Sequence, residues 1–148
     1  RTRAMPIVLD NDPGDRVAQY AWDGAAWRKA ALPLGYTDRY AERKADLAAA
    51  AGTNTLAGST VPAGEVWVIT NVFAQDAVSA LTNIYIYLYD GANICTLAYL
   101  AAPAALAPLE RQVQWVLKPG DSIRAEFTGC NLNDDLYLNL LGYKMAIA

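Results

Sequence analysis

Between Asn83 and Tyr89 the chain alternates without a break. Ile84, Ile86 and Leu88 fall on one side, and Tyr85, Tyr87 and Tyr89 on the other. A period of two sends these sets to opposite faces of a β-strand. The aliphatic face requires a core, and a strand of this kind is stable only within a larger sheet that packs on another layer. The fold must therefore supply partner strands. The tyrosine face needs a separate explanation.

The sequence downstream supplies those partners. EVWVITNVFA (65–74) is β-branched and aromatic on both faces, as a central strand would be. DGAN (90–93) is a hairpin turn, because Asp-Gly accepts positive φ, and NICTLAYL (93–100) pairs back from it. The prolines in LAAPAALAPLE (100–110) remove ladder donors and make a loop. RQVQWVLK (111–118) directs Val113, Trp115 and Leu117 inward, KPGD (118–121) turns, and SIRAEFT (122–128) brings in Ile123, Ala125 and Phe127. GCNLNDD (129–135) is turn-rich. LYLNLLGYKMAIA (136–148) forms a last strand with Gly142 at a bulge. TNTLAGST (53–60) offers a further strand. Short strands with turn signals between them specify an antiparallel sandwich or barrel. The expected core comprises Val66, Val68, Ile84, Ile86, Leu88, Val113, Trp115, Ile123, Phe127, Leu136 and Leu138.

Residues 1–52 read as an N-terminal arm, and 53–148 as the β-domain. Within the arm, 17–30 reads as a hairpin around Asp23-Gly24, with Trp22 and Trp27 on its two sides. Residues 37–51 are rich in helix formers, with Thr37 or Asp38 as cap and Gly52 as stop. The apolar stripe of that helix is mostly alanine, so an extended strand or linker is the other reading.

Composition excludes several classes of function. With 54% apolar and 18% charged residues the chain is built to pack. Its net charge of −3, without a basic block, argues against nucleic acid or an anionic membrane as partner. MPIVL (5–9) is too short for a signal-peptide core, and prolines interrupt the uncharged run 91–109, so neither leader nor membrane span is expected. There is no histidine, which removes His-based triads, acid–base pairs and metal sites. No phosphate loop or nucleophile elbow is present. The chain is expected not to be an enzyme and to need no cofactor. Asp10, Asp12 and Asp15 in DNDPGD, or Asp134 and Asp135, offer carboxylates for a cation but lack the frame of an EF-hand. Cys95 and Cys130 read as two buried small hydrophobes, with a bridge between strands as the alternative.

TVPAGEVWVITNVFAQD (60–76), LKPGDSIRAEFTG (117–129) and LYLNLLGYKMA (136–146) together resemble the small jelly-roll structural proteins of tailed-bacteriophage virions, of capsid-decoration (cement), head-fibre or tail-fibre type. The resemblance rests on Val61–Trp67, Pro119–Ile123 and Gly142–Tyr143, and covers residues 53–148. It implies an antiparallel jelly-roll β-sandwich with an N-terminal extended arm, a homotrimer, and a place in the virion after assembly in the bacterial cytoplasm. The implied partners are the major capsid protein or other virion proteins.

Three roles are open to Tyr85, Tyr87 and Tyr89: cover for another layer or the arm, a protein contact, or a platform on which sugar rings stack. With Tyr20, Trp22 and Trp27 of the arm they are the candidate assembly residues. The expected function is a non-enzymatic, capsid-decorating structural protein docking through its arm. A receptor- or carbohydrate-binding module is the alternative.

Overall fold

The expected turn glycines Gly91 and Gly120 take positive φ, 95° and 93°. The Asp90 carboxylate accepts from the amides of Ala92 and Asn93 at 3.0 and 2.6 Å and closes the first turn. Asp121 accepts from the Lys118 amide at 3.0 Å and closes the second. The computed structural model describes residues 20–22, 27–29 and 35–146.

The elements are β1 (Tyr20–Trp22), β2 (Trp27–Lys29), β3 (Gly35–Ala49), β4 (Gly52–Ala57), β5 (Glu65–Asp76), β6 (Asn83–Tyr89), β7 (Ile94–Ala101), β8 (Leu109–Leu117), β9 (Ser122–Cys130) and β10 (Asp134–Ala146). They fall in two units, residues 1–35 and 36–148. In the first, β1 and β2 pair antiparallel, with Trp22 opposite Trp27. The second holds two four-stranded sheets, β3-β10-β5-β8 and β4-β9-β6-β7. Neighbours pair from the inside outward: β6 with β7, β5 with β8, β4 with β9, and β3 with β10. One long hairpin, folded over so that successive pairs alternate between sheets, is the jelly-roll wind.

The expected helix over 37–51 is a strand. Host propensities for Ala, Glu, Lys and Arg are a weak prior, and here β10 offers β3 a ladder along one side. Side chains bind β3 to the sandwich as well. The Glu42 carboxylate accepts from the Ser59 amide at 2.9 Å and the Ser59 hydroxyl at 2.6 Å. It also takes the Tyr40 hydroxyl and pairs with Lys44 at 2.9 Å. Tyr40 packs on Trp67 with ring centroids 4.4 Å apart, and Lys144 lies over both rings. Tyr40 and Ala49 belong to the core. The compact β-unit thus begins at Tyr36, not at residue 53.

The core cluster contains Ile84, Ile86, Ile123, Phe127, Leu136 and Leu138 as expected, with Leu88, Val113 and Trp115 partly buried against it. On β5, Trp67 and Ile69 enter the central core cluster; of the expected pair, Val68 is buried outside that cluster and Val66 is half-buried. The strand is apolar on both faces, so period alone leaves its orientation undecided. A register irregularity between Ile69 and Asn71 then returns Val72 and Ala74 to the inside.

Gly142 marks the bulge in β10, where register with β5 shifts between Leu141 and Gly142. A Cβ at Gly142 would stand 1.9 Å from the Val68 carbonyl oxygen, so no other residue fits there without moving backbone.

Candidate functional site

Since Ile84 and Ile86 of β6 face the core, Tyr85, Tyr87 and Tyr89 stand on the outer face of the β4-β9-β6-β7 sheet. Cross-strand register builds rows on this face. One row runs Tyr99, Tyr85, Glu126, Thr55 across β7, β6, β9 and β4. The rings of Tyr85 and Tyr99 pair at 4.8 Å, tilted by 35°. The Tyr99 hydroxyl donates to Asn83 Oδ1 at 2.7 Å. In the next row Tyr87 lies beside Arg124, whose guanidinium stacks over the Tyr89 ring at 3.7 Å. The Tyr89 hydroxyl donates to the Gly91 carbonyl at 2.7 Å. Tyr87 is buried among these neighbours, Tyr85 and Tyr89 are half-buried, and Tyr99 is exposed.

The tyrosine stripe is therefore an outer sheet face carrying one cation and one carboxylate in its central strands. Tyr20, Trp22 and Trp27 lie on β1 and β2, and their side chains fall outside the described residues. Sequence reasoning missed Tyr99, Asn83, Glu126 and Arg124. The hairpin turn at 90–93 places Ile94 opposite Tyr89, but Leu97 is an extra residue between the Thr96–Tyr87 and Ala98–Ile86 pairs. That bulge shifts the register by one and brings Tyr99 opposite Tyr85.

A scan of protein-family models and a search of curated proteins returned no match to this chain. Its chemistry therefore has to be read from its own side chains.

A second cluster lies at one end of the sandwich, where Leu136↔Asp76 pairing brings the β5–β6 loop to the β9–β10 turn. Asp76, Asp134 and Cys130 are buried, with ligand atoms within 4.8 Å of one another. Ser79 Oγ donates to Asp134 Oδ2 at 2.7 Å, as does the Asn131 amide at 2.6 Å. The amides of Val78 and Ser79 donate to Asp76 Oδ1 at 2.8 and 3.2 Å. Burial pushes Asp76 up, and the neighbouring Asp134 adds to this against the two amide bonds. Burial would raise Asp134 too, but the Ser79 hydroxyl, the Asn131 amide and the Asp76 carboxyl outweigh it and hold it low. The two carboxyls are thus pushed apart, Asp76 upward and Asp134 downward. Burial likewise pushes the Cys130 thiol up. Two carboxyls and a thiol are ligand types that a divalent cation accepts, but loop hydrogen bonds already engage the carboxyl oxygens, and the arrangement works as a joint between loops.

Of the sequence candidates for a cation, Asp10, Asp12 and Asp15 lie outside the described residues, and Asp134 and Asp135 do not converge: the first is buried, the second half-exposed. Cys130 is buried as expected, whereas Cys95 is exposed on β7; both are free thiols. The bridge is excluded, and so is burial of Cys95, because its strand is a sheet edge.

Proposed function

We propose that this chain is a non-enzymatic structural protein of a tailed-bacteriophage particle, a capsid-decorating component assembled as a homotrimer. The observation that carries the reading is the free edge of β7. Sheet edges are templates for further strands, and proteins guard them with charge, proline, shortness or bulges. Edge strand β3 carries Asp38, Arg39, Glu42, Arg43, Lys44 and Asp46; β8 carries Glu110 and Arg111; β4 has six residues. β7 has neither charge nor proline, and it exposes Ile94 at 62% and Tyr99 at 46%. Its one guard is the bulge at Leu97, beyond which Ala98–Ala101 pair regularly with β6. An edge this bare suits burial against a neighbouring subunit. A head-to-tail contact closes into a ring when its rotation returns to the start, and the trimer is the ring implied by the resemblance in the 60–76, 117–129 and 136–146 segments.

The partners in this reading are further copies of the chain and the major capsid protein or another virion protein, with neither nucleic acid nor membrane involved. The place of action is the virion, after assembly in the bacterial cytoplasm. The absence of histidine from the sequence supports a non-catalytic role.

Light scattering on the full chain tests the assembly. A trimer is expected, and Ile94→Lys with Thr96→Lys, which sets two charges on an otherwise uncharged edge strand, should reduce it to a folded monomer. Immunogold labelling with an antibody to this chain tests the location, with label expected on phage heads. A wild-type monomer, or unlabelled particles, would remove the proposal.

A further inference from the structure

The Tyr99–Tyr85–Glu126–Thr55 row is more than a surface pattern, because its polar groups have hydrogen-bonding capacity that no other described residue takes up. Glu126 is half-buried beside Tyr85, yet its carboxylate has no hydrogen bond or ion pair among the described residues. Asn83, one row away, accepts from Tyr99 through Oδ1 and leaves its NH2 group without a partner among the described residues. Thr55 and Thr128, which flank Glu126 and Asn83 in register, add hydroxyls that both donate and accept. The Glu126 oxygens are not sealed from solvent, so water serves them in the free chain and the hydroxyls of a ligand can take its place.

From this geometry we infer that the outer face of the β4-β9-β6-β7 sheet binds a neutral polysaccharide, with Tyr85 and Tyr99 stacking on sugar rings and Glu126 and Asn83 bonding their hydroxyls. A pyranose has apolar C–H faces and a rim of hydroxyls. It matches a row that is aromatic at one end and polar at the other. The row crosses three strand spacings, about 14 Å, and suits an extended chain better than a single sugar. Arg124 and Glu126 cancel in charge on the same face, which favours a neutral ligand. A nucleic acid would also stack on the rings, but its phosphates would meet Glu126 on a chain of net charge −3. A protein partner would call for a wider apolar centre than two tyrosine rings bounded by threonine, asparagine and glutamate. The inference rests on the side chains of the row and not on the assembly reading; Tyr99 flanks both the row and the β7 edge, so oligomer size is measured beside retention. A ring of such sites would add avidity to a weak single contact.

Affinity electrophoresis of the full chain in native gels containing dextran, mannan, galactomannan or a mixed-linkage β-glucan tests it. At least one polymer should retard the protein, and added salt should leave the retardation unchanged. Tyr85→Ala with Tyr99→Ala should weaken retention about tenfold or more. Glu126→Gln, which keeps shape and removes the charge, should weaken it with melting temperature and oligomer size unchanged. The inference is overturned if no gel retards the wild-type chain, or if the tyrosine and Glu126 variants run as wild type. It is equally overturned if the tyrosine variants change only oligomer size, which would make the face a protein contact.

Discussion

Asp76 and Asp134 are buried side by side, and the Ser79 hydroxyl reaches from the loop of the first to the carboxylate of the second. The pair sets a pH window. Asp76 is raised, so its contribution is present while it stays protonated and is lost as pH rises through its folded value. Asp134 is lowered, so its contribution is present above its unfolded value and is lost as pH falls through the folded one. Stability should therefore peak between these limits. Asp76→Asn keeps an acceptor for the Val78 and Ser79 amides and a donor toward Asp134 without a titrating proton. In melting curves across pH, wild type should decline on the alkaline side as Asp76 ionises, and the variant should lose that decline. Parallel curves would mean that Asp76 is not raised in the folded chain.

Glu42 is held at about 2: burial opposes ionisation, but the Ser59, Tyr40 and Lys44 contacts more than offset it. Its lowered value makes the clamp on β3 fully present above the usual carboxylate range and lost as pH falls toward 2. Glu42→Gln should cost about 1–3 kcal/mol at neutral pH and flatten the acid limb of a urea-unfolding series.

Removing residues 1–35 should leave a β-sandwich with a cooperative thermal transition. Removing 1–52 should abolish that transition, because it strips β3 from β10 and deletes the core residues Tyr40 and Ala49. Circular dichroism melts of the two truncations check this directly. Equal stability would return β3 to the arm.

Trp67→Ala should cost about 3–5 kcal/mol, as should Ile86→Ala within about 2–5 kcal/mol, whereas Val66→Ala should cost far less. Chemical denaturation of the three variants tests which face of β5 is inside. Gly142→Ala should be worse than any of them, since its Cβ meets backbone and no side chain can move aside.

Much of the sandwich was legible because alternation survives in β6, β8, β9 and β10 and because Gly91 and Gly120 mark their turns. β3 was not, since its residues favour helix locally and only pairing with β10 makes them a strand. The inward face of β5 was hidden for the opposite reason, both faces being apolar. On the tyrosine face, three rings could be read from β6 alone, but the neighbours that give them chemistry depend on the one-residue bulge at Leu97. Asp134 was visible as an acid beside Asp135. Its true neighbour, Asp76, arrives through the β5–β10 register and has no local signature.

The nested pairing has a kinetic consequence. β6 and β7 can meet as soon as their turn closes, but β3 must wait for β10, which the ribosome makes after every other strand of the sandwich. Such distant closure is slow, and during that wait β3 is a long unpaired strand. Its acidic and basic residues, spaced from Asp38 to Asp46, then act as a gatekeeper: they keep the nascent strand from pairing with the wrong chain until its own partner emerges.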